Sequence, residues 1–196
     1  VPYQLPENYN TIFQHQKDMR DGYGNGALGI IVSGLVWIVS AIVALQFSEK
    51  HAIWTLFFGG MMIFPLSMLL GKIAGIRGTH TKGNPLGNLA LEGTVLMIMC
   101  IPIAYIVSLQ QSSWFFNAML LIIGGRYLTF NSIYGIKLYW LLGALLGIAG
   151  YLLFIFRVPS FGSALIGGII EIIFGGYMLV SFRKNSRKRI GNPEQI

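Results

Sequence analysis

The sequence predicts an all-α integral membrane protein with six transmembrane helices. Three observations predict it. Charged residues make up 11% of the 196-residue chain, against about 25% in a soluble domain. Mean hydropathy is +0.64. No charge occurs within residues 22–48, 52–71, 93–125 or 138–156, and a helix needs roughly 20 mostly apolar residues to cross the hydrocarbon core. Backbone groups in lipid must be satisfied internally, so such runs fold as helices. The period-2 alternation of a membrane barrel is absent.

Residues 1–25 form an N-terminal segment that is polar over its first twenty residues, with two prolines near its start and a short amphipathic helix expected on the membrane surface over 11–20. The chain begins with Val1 rather than Met, and no short apolar region directly follows a basic start, so no signal peptide is expected. "GYGNG" (22–26) is glycine-rich but follows no strand, so it reads as a flexible lead into the first span. The spans are expected at about 26–47, 53–73, 86–109, 114–136, 138–156 and 160–182. The run 93–125 is too long for one span, and "SLQQSSW" (108–114) divides it with a tight polar turn. Lys137 marks a second tight turn, and Arg157 with "VPS" a third. Pro65 and Pro102 fall inside the second and third spans, where each removes a backbone hydrogen bond and favours a kink. Residues 26–182 thus form the membrane domain and 183–196 a basic tail.

Charge sets the threading. With six spans, both termini share a side with the 2–3 and 4–5 loops. That side holds eleven bases: Lys17, Arg20, Lys72, Arg77, Lys82, Lys137, Arg183, Lys184, Arg187, Lys188 and Arg189. The other side holds Lys50 and Arg157. Positive charge collects in the cytoplasm, so both termini are expected there, in a plasma or inner membrane. The net charge of +7 is explained by topology and does not call for nucleic acid. The tail "SFRKNSRKR" places five bases within 183–189, and near an anionic leaflet each is worth about 1 kcal/mol. The tail therefore reads as a positive-inside anchor on anionic lipid. The basic loop 71–88 reads as a solvated connector, with a gate or partner site as the alternative.

Spans two, four and six share a design: an apolar block, a Gly-Gly pair, a second apolar block and a terminal base. Gly60 precedes Lys72 by 12 residues, and Gly125 precedes Lys137 by 12. Three similar helical hairpins about a pseudo-threefold axis would explain this, as internal repeats do in transport folds; chance is the competing reading, since glycine is common in membrane helices. Small residues at helical spacing in the first span (Gly26, Gly29, Ser33, Ser40, Ala44) and the fifth (Gly143, Gly147, Gly150) suit close backbone approach.

Three ionisable residues stand inside spans: Glu92, Arg126 and Glu171. A charge at mid-membrane costs about 2.5–3.5 kcal/mol on insertion scales, so each should face protein or water and have a partner. Arg126 lies 11 residues before Lys137, and Glu171 lies 12 before Arg183. At a rise of about 1.5 Å per residue the two share a level near the midplane, which predicts an Arg126–Glu171 ion pair between spans four and six. Glu92 lies about two turns into span three, on one helix face with Asn88 and Asn84. Tyr127, Asn131 and Tyr134 share a face of span four, with Thr129 beside it. These residues are expected to line one polar pocket running from Asn84 inward to Arg126 and Glu171.

Other chemistry is missing. His15, His51 and His80 have no Cys, Asp or Glu at metal-ligand spacing, and no H-E-x-x-H occurs, which argues against zinc or haem; no cofactor is expected. No G-x-S-x-G, P-loop or dinucleotide fingerprint is present. Cys100 is the single cysteine, so no intramolecular disulfide can form. No residue is assigned a catalytic role, although Glu92 and Glu171 leave a carboxylate-based intramembrane enzyme open.

"FPLSMLLGKI" (64–73), "NPLGNLALEG" (84–93) and "GLVWIVSAIV" (34–43) resemble a family of small multi-pass bacterial membrane proteins of unknown function. The resemblance implies a bacterial origin and six spans, and supplies no activity. Two main readings result. The first is a transporter-like protein, alone or as a homo-oligomer, that binds a small polar solute or ion through Asn88, Glu92, Arg126, Tyr127, Asn131 and Glu171. The second is a non-catalytic immunity, stress or assembly factor whose buried ion pair is structural.

Overall fold

In a computed structural model, the described residues are 7–191 for the backbone and 11–185 for side chains. The start of the N-terminal segment (1–6) and the end of the tail (192–196) lie outside them. The described residues form helices joined by turns and loops, with no strand: α1 (Glu7–Tyr23), α2 (Ala27–Gln46), α3 (Glu49–Ile73), α4 (Pro85–Ser108), α5 (Ser113–Tyr134), α6 (Leu138–Ile155) and α7 (Ser160–Gly191). Helices α2 to α7 run up and down, and α1 lies across one end of them.

Five helical stretches are long and apolar enough to cross a membrane: those containing α2, α3, α4, α6 and α7. Helix α5 has 22 residues, which is length enough. It falls short in apolarity because it carries Asn117, Arg126 and Asn131. Ten of its residues are buried. A helix enclosed by others has no need to be apolar all round.

Local chemistry sets the helix ends. Asn84 caps α4, its side chain accepting from the Leu86 amide, with Pro85 at the first helical position where a missing N–H costs nothing. Ser48 caps α3. Gly135 ends α5 at φ +65°, a left-handed position that glycine adopts freely. The "GYGNG" stretch is a defined corner rather than a flexible lead, for Gly24, Asn25 and Gly26 all have positive φ, from 57° to 74°. Helix α7 continues past 182 through the basic residues to Gly191, so the first part of the expected tail is helix.

Small residues decide which helices meet closely. A Cβ at Gly34 of α2 would stand 3.0 Å from Gly168 O of α7, and one at Gly168 would stand 2.9 Å from Gly34 O. A Cβ at Gly124 of α5 would stand 2.7 Å from Gly143 O of α6. Backbones touch at both seams, which is how membrane helices gain packing energy when apolar burial offers little. The Gly-Gly pairs repeat one orientation. Gly59, Gly124 and Gly175 each face a neighbouring helix, whereas Gly60, Gly125 and Gly176 each face open space. The threefold arrangement is broken all the same. Helices α2 and α7 pack tightly, as do α5 and α6, but α3 and α4 do not pack as neighbours. They meet through the Trp54 and Tyr105 rings, 6.3 Å apart.

The basic loop is not a free connector. Asp18 of α1 accepts from Arg77 Nη2 (3.0 Å), the Thr81 amide (2.8 Å), the Thr81 hydroxyl (3.0 Å) and Asn84 Nδ2 (3.0 Å). Tyr23 Oη bonds His80 Nδ1 at 2.9 Å. Helix α1 also caps α5: Gln16 donates to Ser132 O and Arg20 to Tyr134 O, two of the carbonyls a helix end leaves unsatisfied. Helix α1 is therefore a strap on the bundle end. Lys17, Lys72, Arg77, Lys82, Lys137, Arg183 and Lys184 belong to this same end, and Lys50 and Arg157 to the opposite one.

Candidate polar centre

The centre forms where α2, α5 and α7 meet. Close approach of α2 and α7 at Gly34 and Gly168 draws the next turn of α7 inward. Glu171 is fully buried there. The Tyr127 hydroxyl of α5 donates to its Oε1 at 2.9 Å. Ser33 of α2 places its hydroxyl within hydrogen-bonding reach of the carboxylate, yet Oε2 has no hydrogen bond of good geometry. A buried acceptor without a partner costs about 1–3 kcal/mol, more if charged.

The expected Arg126–Glu171 ion pair is not formed: no nitrogen of Arg126 lies within 4.0 Å of the carboxylate. The two residues do share a level, because Tyr127 on the same turn of α5 reaches Glu171. The direction differs. Neighbouring residues on a helix diverge by about 100°, and it is Tyr127 that faces α7. Arg126 faces α4, where Nη2 donates to Thr94 Oγ1 at 2.9 Å and Nη1 approaches Met97 Sδ at 3.4 Å. Its guanidinium lies over the Phe130 ring, 5.3 Å from the centroid. Its Nε is buried without a partner.

The continuous pocket expected from Asn84 to Glu171 is also not formed. Asn88 and Glu92 are on the exposed, outward face of α4. That face is about half a turn from the Ala90–Thr94–Met97 stripe that meets α5. Asn84 turns instead to α1, donating to Asp18 and to His15 O. Asn131 is half-buried near Tyr127 and Tyr134, and Thr129 bonds back to Arg126 O.

Sequence reasoning missed Tyr139. Its hydroxyl donates to Asn25 O at 2.7 Å, and its ring stacks on Tyr134 (5.5 Å) and Tyr127 (6.0 Å). The signal was present as tyrosines at 127, 134 and 139 around a helix turn, but only the partner faces make them one group. This aromatic column leads from Glu171 to the strap end. Asn25 there lines a cleft of about 380 Å³, with Phe13, Arg20, Gly135, Ser181 and Asn185 on its walls.

Among the described residues no group of three His, Cys, Asp or Glu is placed to hold a metal. Asp18, on the strap outside the apolar helices, has a carboxyl that burial alone would push up. Hydrogen bonds from Asn84, Thr81 and Arg77 outweigh that and hold it well below the usual carboxylate range.

A family model described as a family of unknown function (DUF7010) matches residues 12–181, and the chain belongs to that family. No curated protein and no solved structure matches it.

Proposed function

We propose that this member of the DUF7010 family binds a small cation, or the donor group of a small polar solute, at Glu171 in its membrane core. The observation that carries the reading is the open Oε2 of a fully buried carboxylate. Intramembrane carboxylates mark solute and ion sites more often than they mark packing. A donor placed at Oε2 supplies the bond that the protein leaves unmade. The strap-end cleft marks the side from which a solute would approach, and the buried tyrosine rings between it and Glu171 would have to part to admit one, in a transporter-like cycle.

The bases at the strap end support six spans, α5 included, with that end in the cytoplasm of a bacterial plasma membrane. They also support anchoring of the α7 tail on anionic lipid. A non-catalytic role fits the carboxylates, since Glu92 and Glu171 face opposite ways and cannot act on one atom. A second reading, a structural polar core, is favoured by the Tyr127–Glu171 bond, which ties α5 to α7 without any ligand.

Thermal stability in detergent separates the two. Wild type and Glu171→Gln are heated at constant pH and ionic strength with lithium, sodium, potassium, ammonium and methylammonium in turn. Ligand binding predicts that at least one ion raises the wild-type midpoint in a saturable way and leaves the variant unmoved. Equal responses across the panel would overturn the binding reading in favour of the structural one.

A further inference from the structure

A second cluster of orphaned polar groups lies away from the strap end and is separate from Glu171. Asn117 of α5 is 3% exposed, and neither Nδ2 nor Oδ1 has a partner. Ser113, one turn earlier on α5, is 2% exposed with an unpartnered hydroxyl. Ser163 of α7 is fully buried with an unpartnered hydroxyl. Packing puts Asn117 and Ser163 at about one level, with Ser113 one turn further from the strap end. A Cβ at Gly167 of α7 would stand 2.6 Å from Leu120 of α5, so these residues mark where α5 meets α7. Asn117 lies three residues before Leu120, and Ser163 lies four before Gly167. Both helices run the same way, so amide and hydroxyl are displaced about one turn in the same direction. The main-chain carbonyl of Asn117 lies against α6, 2.8 Å from where a Gly150 Cβ would stand. The cluster therefore lies where α5 meets α7, on a stretch of α5 whose backbone also packs against α6.

An asparagine amide offers two donors and two acceptor lone pairs. Leaving all of them unmade in a dry interior, beside two unmet hydroxyls, is a cost that native structures avoid. No charged side chain belongs to the cluster. We infer that the Ser113–Asn117–Ser163 seam is a binding site for an uncharged molecule that both donates and accepts hydrogen bonds, either water or a small neutral solute of the same chemistry. The site is independent of the Glu171 reading. Leu120 and Trp37, both against Gly167, lie between the two along α7 and separate them with apolar atoms.

Asn117→Leu, close in shape to asparagine, supplies the test by thermal unfolding in detergent. A dry, unpaired amide is a burden, and its removal raises the midpoint. An amide bonded to a bound molecule is an asset, and its removal lowers the midpoint by about 3 °C or more. Ser163→Ala, which removes one atom, is measured alone and in combination with Asn117→Leu. A shared bound molecule predicts that the double variant loses less than the two singles added together. A raised midpoint for Asn117→Leu, or additive effects of the pair, would overturn the proposal. If Asn117→Leu does not fold, Ser113→Ala with Ser163→Ala gives the same cycle. Glycerol and urea identify the source: saturable stabilisation of wild type that is lost in Ser163→Ala marks a solute site, and its absence with coupling intact marks bound water.

Discussion

Helices α4 and α7 each carry one carboxylate inside an apolar helix, and the bundle treats the two oppositely. Glu171 is fully buried against Tyr127 and Ser33, whereas Glu92 lies on the outward face of α4. The difference extends to the whole helices. Helix α7 meets α2 backbone to backbone through Gly168, and α5 does the same with α6 through Gly124. Helices α3 and α4 expose Phe58, Met61, Phe64, Leu96, Met99 and Ile106. An apolar side chain is equally content against lipid or protein, so hydropathy marks a span without saying where it sits in the bundle. Small residues and unmet polar atoms carry that information.

The contrast between an inner seam and an outer pair is open to direct attack. The largest effect is expected at the seam itself. Gly124→Val forces a side chain into the α6 backbone and should cost about 3 kcal/mol, read as a lower unfolding midpoint. Gly125→Val meets nothing within 4 Å and should stay within about 0.5 kcal/mol of wild type. Equal losses would show that the seam is not where α5 packs.

Next in size is Tyr127→Phe, which removes the hydrogen bond to Glu171 and should cost about 2 kcal/mol. The outer helix is held differently, at its N-terminus by Asn84 and Asp18. Asp18→Asn should therefore speed amide exchange in 77–84 and the first turn of α4, while α7 stays protected. Because the Asp18 carboxyl is held below its ordinary range, its stabilising contribution is complete above about pH 4 and fades as pH falls below that value. Exchange at 77–84 in the wild type should accelerate only in that acid window. The smallest effect belongs to Glu92→Gln, under about 0.5 kcal/mol; a loss above 2 kcal/mol would place Glu92 in a packed site and dissolve the contrast.

Much of this architecture was legible in the residues. The six expected spans match α2 to α7 within four residues at every end but the last, where α7 runs on nine residues past 182 to Gly191, because hydrocarbon thickness dictates run length and polar turns interrupt it. The shared depth of residues 126 and 171 was legible because helical rise is fixed. Rotation was not. Whether Arg126 or Tyr127 faces α7 turns on where α4 and α7 lie around α5, and that is set by glycine contacts more than 20 residues away in sequence. The same gap sent Glu92 and Asn88 inward in expectation and outward in the fold. Asp18 is invisible to sequence reading because its partners lie in a loop some 60 residues on, and no local pattern announces such a clamp. Asn117 carried a signal, an asparagine within an apolar run, but its meaning rests on the lack of partners in the packed seam.

The most direct test is a double-mutant cycle on Tyr127→Phe and Glu171→Met, measured by reversible unfolding in detergent. A polar centre built on that bond predicts that the two changes interact by about 1 kcal/mol or more, with the double variant losing less than the sum of the singles. Additivity within about 0.5 kcal/mol would show that the two side chains do not act together, and would contradict the placement of Glu171 at the seam of α2, α5 and α7.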